Sequence, residues 1–330
     1  MNITIIGDGG WGTTLAIHLS KKKFAIKLWG PSASYIAEMS KTRLNPKFLP
    51  GIKLPDNIEL SSDLKSVLSS ADLLVFAVPS KYAITVLKQI KTAKVDLNKK
   101  IMVSVTKGLD DKSLKRMSEI ITDNIKGIEV AVLSGPTIAM EIALGIPSTA
   151  VAASKKMKTA KTIQAIFNSS TFRIYSSTDV IGVELGGTVK NIIAVACGVC
   201  DGLKFGTNTK AALVTRGLTE MARLGKAMGA KAKTLNGLSG LGDLVTTCFS
   251  PRSRNRTFGE QLGLGKKAKD ILASMEMVAE GVESVKAVHK LSQKLNVSMP
   301  ITTEVYNLVY KNKNAMQAVS DLMTRKTKSE

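Results

Sequence analysis

The sequence opens MNITIIGDGGWGTTLA. Residues 7–12 read Gly-Asp-Gly-Gly-Trp-Gly, directly after the apolar run ITII (3–6) and directly before a helical pattern from about Thr13. A G-x-G-x-x-G segment by itself is weak; between a strand and a helix it constrains the fold strongly. Gly7 would permit the tight turn, Gly9 would let a pyrophosphate approach the backbone, and Gly12 would let the helix pack on the strand. The anion then rests on the helix N-terminus. The competing reading is a structural turn that binds nothing, and the strand-glycine-helix context favours the nucleotide.

The first half continues in short β-rich runs separated by helical segments: AIKLW (25–29), DLLVFAV (72–78), IMVSV (101–105), EVAVL (129–133) and PSTAVAA (147–153). Continuous apolar runs of this length are buried on both faces of a parallel sheet with crossover helices. They predict an amino-terminal α/β domain of the Rossmann type, a doubly wound parallel sheet. After FRIY (172–175) the spacing of apolar residues turns helical, as in GVELGGTVKNIIAVACGVCDG (182–202), and no alternating strand pattern returns. A chain of 330 residues suits two domains of roughly 150 residues each. We expect residues 1–178 to bind the dinucleotide and residues 179–330 to form an all-α substrate-binding domain, with a cleft where the two pack.

The formal net charge of +21 would attract a polyanion. The excess is scattered lysine, however, without the clustered stripe or interleaved aromatics of a nucleic-acid surface, so a solvated surface and no nucleic-acid partner are expected. Cys197, Cys200 and Cys248 make an odd count, which fits reduced thiols. Cys197 and Cys200 lie inside the apolar run IIAVACGVC without a second pair of ligands, so packing is expected and no metal. A strand pattern from residue 2 leaves no room for a targeting peptide. No apolar stretch approaches the roughly 18 residues that span a bilayer, so the expected location is cytoplasmic.

Oxidising an alcohol with a nicotinamide needs a base for the hydroxyl proton. The two histidines, His18 and His289, fall in helical runs away from the motifs and read as structural or surface residues. Lysine is the remaining candidate, once desolvation or a neighbouring cation lowers its pKa. Lys107, in VSVTKGL, follows the carboxyl end of a predicted strand, where ligands bind in an open α/β sheet. Lys190, in ELGGTVKNIIAVA, is the lone cation on an otherwise small and apolar helical stretch; the alternative is a stem whose amine reaches water. Three of only nine arginines, Arg252, Arg254 and Arg256, crowd into PRSRNR (251–256), which suggests a guanidinium grip on an anion. The second predicted strand ends LWGPSAS, with neither the acidic residue that marks NAD nor the arginine that marks NADP, so the cofactor stays open between the two.

Together these segments closely resemble the bacterial NAD(P)-dependent glycerol-3-phosphate dehydrogenases over nearly the full length. The resemblance is carried by GDGGWGTTLA (7–16), NPKFLPGIKLP (45–55), VPS (78–80), TKG (106–108), LSGPTIAMEI (133–142), ELGGTVKNIIAVACGVCDGL (184–203), GLSGLGDLVTTC (237–248), SRNRTFG (253–259), AEGVESVKAV (279–288) and MPIT (299–302). It implies reversible oxidation of sn-glycerol 3-phosphate to dihydroxyacetone phosphate, a homodimer, and a supply of glycerol phosphate for phospholipid synthesis.

Carried over by position, the resemblance makes Lys190 the catalytic base with Asn191 beside it, and Lys107 and Asp243 the groups that set its charge state. It places Lys107, Gly135, Thr137, Asp243, Thr247, Ser253, Arg254 and Asn255 around the substrate. It places Gly7, Gly9, Gly10, Trp11, Gly12, Lys107, Ala139, Arg254, Val278 and Glu280 on the cofactor. Arg252 and Arg256 are expected to be solvated or salt-bridged. Asp8 departs from the small neutral residue usual in the loop, Thr137 stands where serine is frequent, and Pro31 and Ser32 stand where members favouring NADPH often carry a basic residue. The nearest rivals are a dehydrogenase of the same plan acting on 6-phosphogluconate or a β-hydroxy acid, and a basic binding protein that kept a nucleotide fold.

Overall fold

The computed structural model describes residues 1–275 and 279–327. By its contacts the chain separates into two compact units, Met1–Lys107 with Lys115–Glu184, and Gly108–Leu114 with Leu185–Glu330.

The first unit holds β1 (Asn2–Ile6), β2 (Ala25–Trp29), β3 (Leu44–Asn45), β4 (Leu49–Lys53), β5 (Ile58–Ser61), β6 (Leu73–Phe76), β7 (Ile101–Ser104), β8 (Glu129–Ser134), β9 (Ser148–Ser154) and β10 (Phe172–Ser177). Its helices are α1 (Gly10–Ser20), α2 (Ala33–Thr42), α3 (Leu64–Ser69), α4 (Ser80–Thr92), α5 (Met117–Asn124), α6 (Ala139–Ala143) and α7 (Met157–Phe167). Eight strands form one sheet in the order β10-β9-β8-β7-β6-β1-β2-β5, while β3 and β4 form a separate hairpin. Alternation sorts each central strand's side chains into two cores. Ile3, Ile5 and Val75 join Leu15, Ile163 and Phe167, whereas Ile6, Leu74 and Phe76 join Leu87, Ile90 and Ile121. The sheet is therefore covered on both faces, as the apolar runs require.

Three details differ from the sequence reading. The sheet is not wholly parallel, because β8 pairs antiparallel with β9; the short α6 connection returns the chain as a neighbouring strand of opposite sense. The edge strand β5 gave no apolar run, since IELS is short and carries the exposed Glu59. Helix α1 begins at Gly10, three residues before the expected start, so part of the glycine motif is already helical.

The second unit contains α9 (Thr207–Met228), α10 (Ala232–Leu235), α11 (Asp243–Phe249), α12 (Arg254–Gly263), α13 (Ala268–Ser274), α14 (Glu280–Lys294), α15 (Pro300–Tyr310) and α16 (Ala315–Met323), preceded by the long α8 (Val180–Gly202), which starts in the first unit. No strand occurs after Ser177 among the described residues. Near its start α8 is held by a buried pair: Arg116 Nη1 donates to Glu184 Oε2 at 2.6 Å, and the Ser118 amide donates to Glu184 Oε1 at 2.8 Å. The expectation that no stretch could span a bilayer fails for α8, which is long and apolar enough by length and composition. Yet 94% of its apolar window is buried inside the protein. Its apolarity serves packing, and the count of strictly consecutive apolar residues missed it because Gly, Thr and Lys interrupt the run.

Helices α8 and α12 touch backbone to backbone. A Cβ on Gly259 would overlap the carbonyl of Val195, one on Gly198 would overlap that of Arg256, and one on Gly263 would stand 2.9 Å from the Cα of Gly202. Glycines four residues apart on both helices clear the shared face. Because that contact leaves no room, Gly259→Val should separate the helices and cost about 1–3 kcal/mol or more, read as a lowered midpoint in urea unfolding. An unchanged midpoint would show that the contact is slack.

Candidate active site

The glycine loop sits at the carboxyl end of β1, where the strand order reverses between β1 and β6. Such a switch point opens the ligand crevice of a doubly wound sheet. Gly7 has φ +120°, a backbone that side chains rarely adopt, and a Cβ there would stand 2.6 Å from the Ala77 carbonyl oxygen. A Cβ on Gly12 would overlap the Gly7 carbonyl, so this glycine lets α1 meet the strand. By contrast a Cβ on Gly9 would meet nothing within 4 Å. Helix α1 has no side-chain cap and no acidic residue in its first turn. Open space before an uncapped helix N-terminus suits a pyrophosphate, so these residues fit a dinucleotide. Trp11 stands beside the loop, edge-on to Phe172 at 6.4 Å between ring centroids.

Three further candidates converge on one carbonyl. Lys107 Nζ donates to the Gly135 oxygen at 3.3 Å, and Thr137 Oγ1 donates to the same oxygen at 3.0 Å. Gly135 has φ +155°, and a Cβ there would press on Ala150 at 2.9 Å. Ala139 opens α6 and its carbonyl accepts from Thr14 Oγ1 at 3.1 Å, tying α6 to α1.

In the second unit, Lys190 lies midway along α8 with its side chain 8% exposed. Its Nζ is 3.0 Å from Asp243 Oδ1, whose side chain is 2% exposed. The same Nζ donates to Thr247 Oγ1 at 2.7 Å, and that hydroxyl donates to the Asp243 carbonyl at 2.7 Å. Lys190, Asp243 and Thr247, far apart in sequence, thus form one network. The segment before Asp243 makes it possible. Residues Leu238–Gly242 form a wide π-type turn in which the Gly242 amide donates to the Gly237 carbonyl at 3.1 Å, and a Cβ on Gly186 of α8 would overlap the Ser239 carbonyl.

Asn191 and Asn255 also meet. Asn255 Nδ2 donates to Asn191 Oδ1 at 2.8 Å, while Asn255 Oδ1 accepts the Gly281 amide at 2.8 Å. Asn255 is buried, and its amide ties α8, α12 and the start of α14 together. Ser253 caps α12, accepting from the Arg256 amide at 3.3 Å. Arg254, the first residue of α12, is exposed, and Glu280, the first of α14, is half-buried. Val278 lies outside the described residues. Arg256 pairs with Asp201 at 2.6 Å and Arg252 is exposed, both in line with supporting roles.

Other titratable groups fall away from this chemistry. His18 is buried against Phe167 and Phe172, and burial holds its pKa below the ordinary imidazole value. His289 stacks on Tyr306 at 4.3 Å. The three cysteines are buried, and burial pushes the Cys200 thiol up to about 12. A cavity of about 300 Å³ in the helical unit, lined by Val199, Leu213, Ile301 and Leu308 among others, includes none of the candidate residues.

Comparison with known proteins decides the family. The model described as NAD-dependent glycerol-3-phosphate dehydrogenase N-terminus matches residues 2–160, and that described as its C-terminus matches residues 179–320. The chain belongs to the NAD-dependent glycerol-3-phosphate dehydrogenase family. It is 46% identical to the glycerol-3-phosphate dehydrogenase (NAD(P)+) of Prosthecochloris aestuarii, with all of both chains covered. It is likewise 46% identical to that of Solidesulfovibrio magneticus, again over both full chains. Among solved structures it is similar to glycerol-3-phosphate dehydrogenase from Coxiella burnetii, with TM-score 0.94, 38% identity and coverage of 98% of this chain and 99% of that one. A family member is thus an NAD(P)-dependent oxidoreductase with a Rossmann-type sheet followed by a helical part, as this chain has. The preference between NAD and NADP stays open in these names.

Proposed function

We propose that the chain reversibly oxidises sn-glycerol 3-phosphate at its secondary alcohol to dihydroxyacetone phosphate, using Lys190 as general acid/base. In this reading residues 1–178 bind the dinucleotide and residues 179–330 bring the base and the phosphate-binding arginine. The carrying observation is the buried Lys190 amine, fixed by Asp243 at 3.0 Å and Thr247 at 2.7 Å. An ammonium carries three donors on a flexible stem, and these two anchors hold the group in one direction.

The bound nicotinamide supplies the acceptor for the hydride that leaves the substrate carbon. In its neutral form the Lys190 amine takes the hydroxyl proton at Nζ as the C–H bond breaks and becomes the ammonium, which returns that proton to the carbonyl oxygen in the reverse direction. Asp243 keeps the amine oriented through both states. The phosphate, as a dianion, calls for a charge-assisted grip, which the exposed Arg254 guanidinium offers as a planar fork. Asn255 acts one step back: by holding Asn191 and Gly281 it fixes the first turn of α12, from which Arg254 projects. Lys107 and Thr137, gathered on the Gly135 carbonyl, are the polar groups that the first unit offers to the phosphorylated substrate in this reading. The same reading includes a cytoplasmic homodimer that supplies glycerol phosphate for phospholipid synthesis.

Proton transfer by a placed side chain is worth about 10²–10⁴ in rate. Lys190→Ala should lose turnover of dihydroxyacetone phosphate on that scale or beyond while still binding nucleotide; near-normal turnover would exclude Lys190 as the base. Arg254→Lys keeps the charge and loses the fork, so its KM for the phosphorylated substrate should rise by roughly tenfold or more, the scale of one charge-assisted hydrogen bond. A KM equal to that of the parent would remove Arg254 from the phosphate. For the homodimer, light scattering should read twice the mass of one chain, and a monomer mass at micromolar concentration would count against it.

A further inference from the structure

In a dinucleotide-binding sheet the adenosine ribose is recognised at the end of the second strand, by a carboxylate on its 2′-hydroxyl for NAD or by an arginine on its 2′-phosphate for NADP. Strand β2 ends at Trp29, and Gly30-Pro31-Ser32 after it supply neither. The structure fills that position from elsewhere. Asp8, inside the glycine loop, turns its carboxyl onto Gly30: a Cβ on Gly30 would stand 2.5 Å from Asp8 Oδ2 and 2.6 Å from its Cγ. Gly30 is thus the small residue that admits the Asp8 side chain to the strand end.

The surroundings fix the backbone that carries that carboxyl. Asn45 Nδ2 and Thr13 Oγ1 both donate to the Asp8 carbonyl, at 2.7 and 3.1 Å, pinning its backbone. Gly30 is itself fixed by its amide, which donates to the Ser61 carbonyl at 3.2 Å. The hydroxyls beyond β2 are occupied with each other and with the helix: Ser32 Oγ caps α2, accepting from the Tyr35 amide at 3.3 Å, and lies 3.2 Å from Ser34 Oγ. Residues 30–36 contain no lysine or arginine. Lys47 is near enough for its charge to act on Asp8; burial raises the Asp8 carboxyl above its ordinary pKa, while its own backbone amide and Lys47 oppose that rise.

We propose that Asp8 is the residue that selects NADH over NADPH, accepting from the adenosine ribose hydroxyls in place of the acid missing from β2 and repelling a 2′-phosphate there. This rests on the dehydrogenase reading for the reaction but concerns the adenosine end of the cofactor, so the two can fail separately.

The two tryptophans of the chain, Trp11 and Trp29, both flank the loop, which makes quenching of their fluorescence a direct titration of nucleotide binding without turnover. The intact protein should bind NADH more tightly than NADPH by roughly ten- to hundredfold, the range of one hydrogen bond to a charged group. In the near-isosteric Asp8→Asn variant that ratio should shrink by about tenfold or more, with Lys47 left to attract the 2′-phosphate, and Asp8→Ser should behave alike. Equal affinities in the intact protein, or an unchanged ratio in both variants, would overturn the assignment. Initial rates with dihydroxyacetone phosphate separate it from the reaction: turnover with both nucleotides at equal efficiency would refute the role of Asp8 and leave the reaction standing. A strong NADH preference in binding without turnover would support Asp8 and refute the substrate. If neither nucleotide quenches, both readings fall.

Discussion

The contact between α8 and α12 is the constraint on which the helical unit's chemistry depends. Two helices normally stand apart by the thickness of their side chains, about 8–10 Å between axes. Here glycines at 198, 202, 259 and 263 remove that thickness, so the backbones meet. Only then can Asn255 reach Asn191 across the helices and the amide of Gly281 at the same time. The same long helix carries Lys190, so this contact fixes the backbone from which the lysine reaches Asp243 and Thr247. If Lys190 acts as the proposed base, rigid backbone contacts of this kind suit a group that must meet a reacting atom within a fraction of an ångström.

The Lys190–Asp243 pair contributes placement more than stability. Both groups are nearly dry, and withdrawing two charges from water offsets much of their mutual attraction. Loss of one partner leaves the other as an uncompensated buried charge, which is far worse than loss of both. Drift at either position is thereby tied to the other, and Thr247, which accepts from the lysine and donates to the backbone of Asp243, shares that tie.

Much of the fold could be read in advance because the relevant signals are local. The ITII run and its three glycines lie within a dozen residues, and the burial of β6 and β7 on both faces shows as nearly unbroken apolar stretches. Lys190 stood out as the single cation in an apolar helix, and its side chain is buried. What escaped is set by contacts between distant segments. The antiparallel pairing of β9 depends on how α6 returns the chain, and the edge strand β5 has too little buried surface to leave an apolar run. The glycine pairs of α8 and α12 were visible as two four-residue spacings, but nothing in either segment says that they face one another. Asp8 appeared as a departure from pattern in the loop; its position against Gly30, the residue after β2, needed coordinates. The roles of Asp243 and Thr247 came from family resemblance, since neither residue type nor spacing pairs them with a lysine so far upstream.

The wide turn at Leu238–Gly242 sets the angular phase of helix α11. An α-helix advances about 100° per residue, and a turn closed by an amide five residues ahead holds one residue more than the regular repeat. Shortening this segment by one position would swing the whole of α11 by about that angle, carrying the Asp243 carboxylate away from α8 with every bond geometry still ideal. Length here is consequently a stricter requirement than identity: neighbouring side chains can vary, but an insertion or deletion would leave a well-folded helix pointing its acid in the wrong direction.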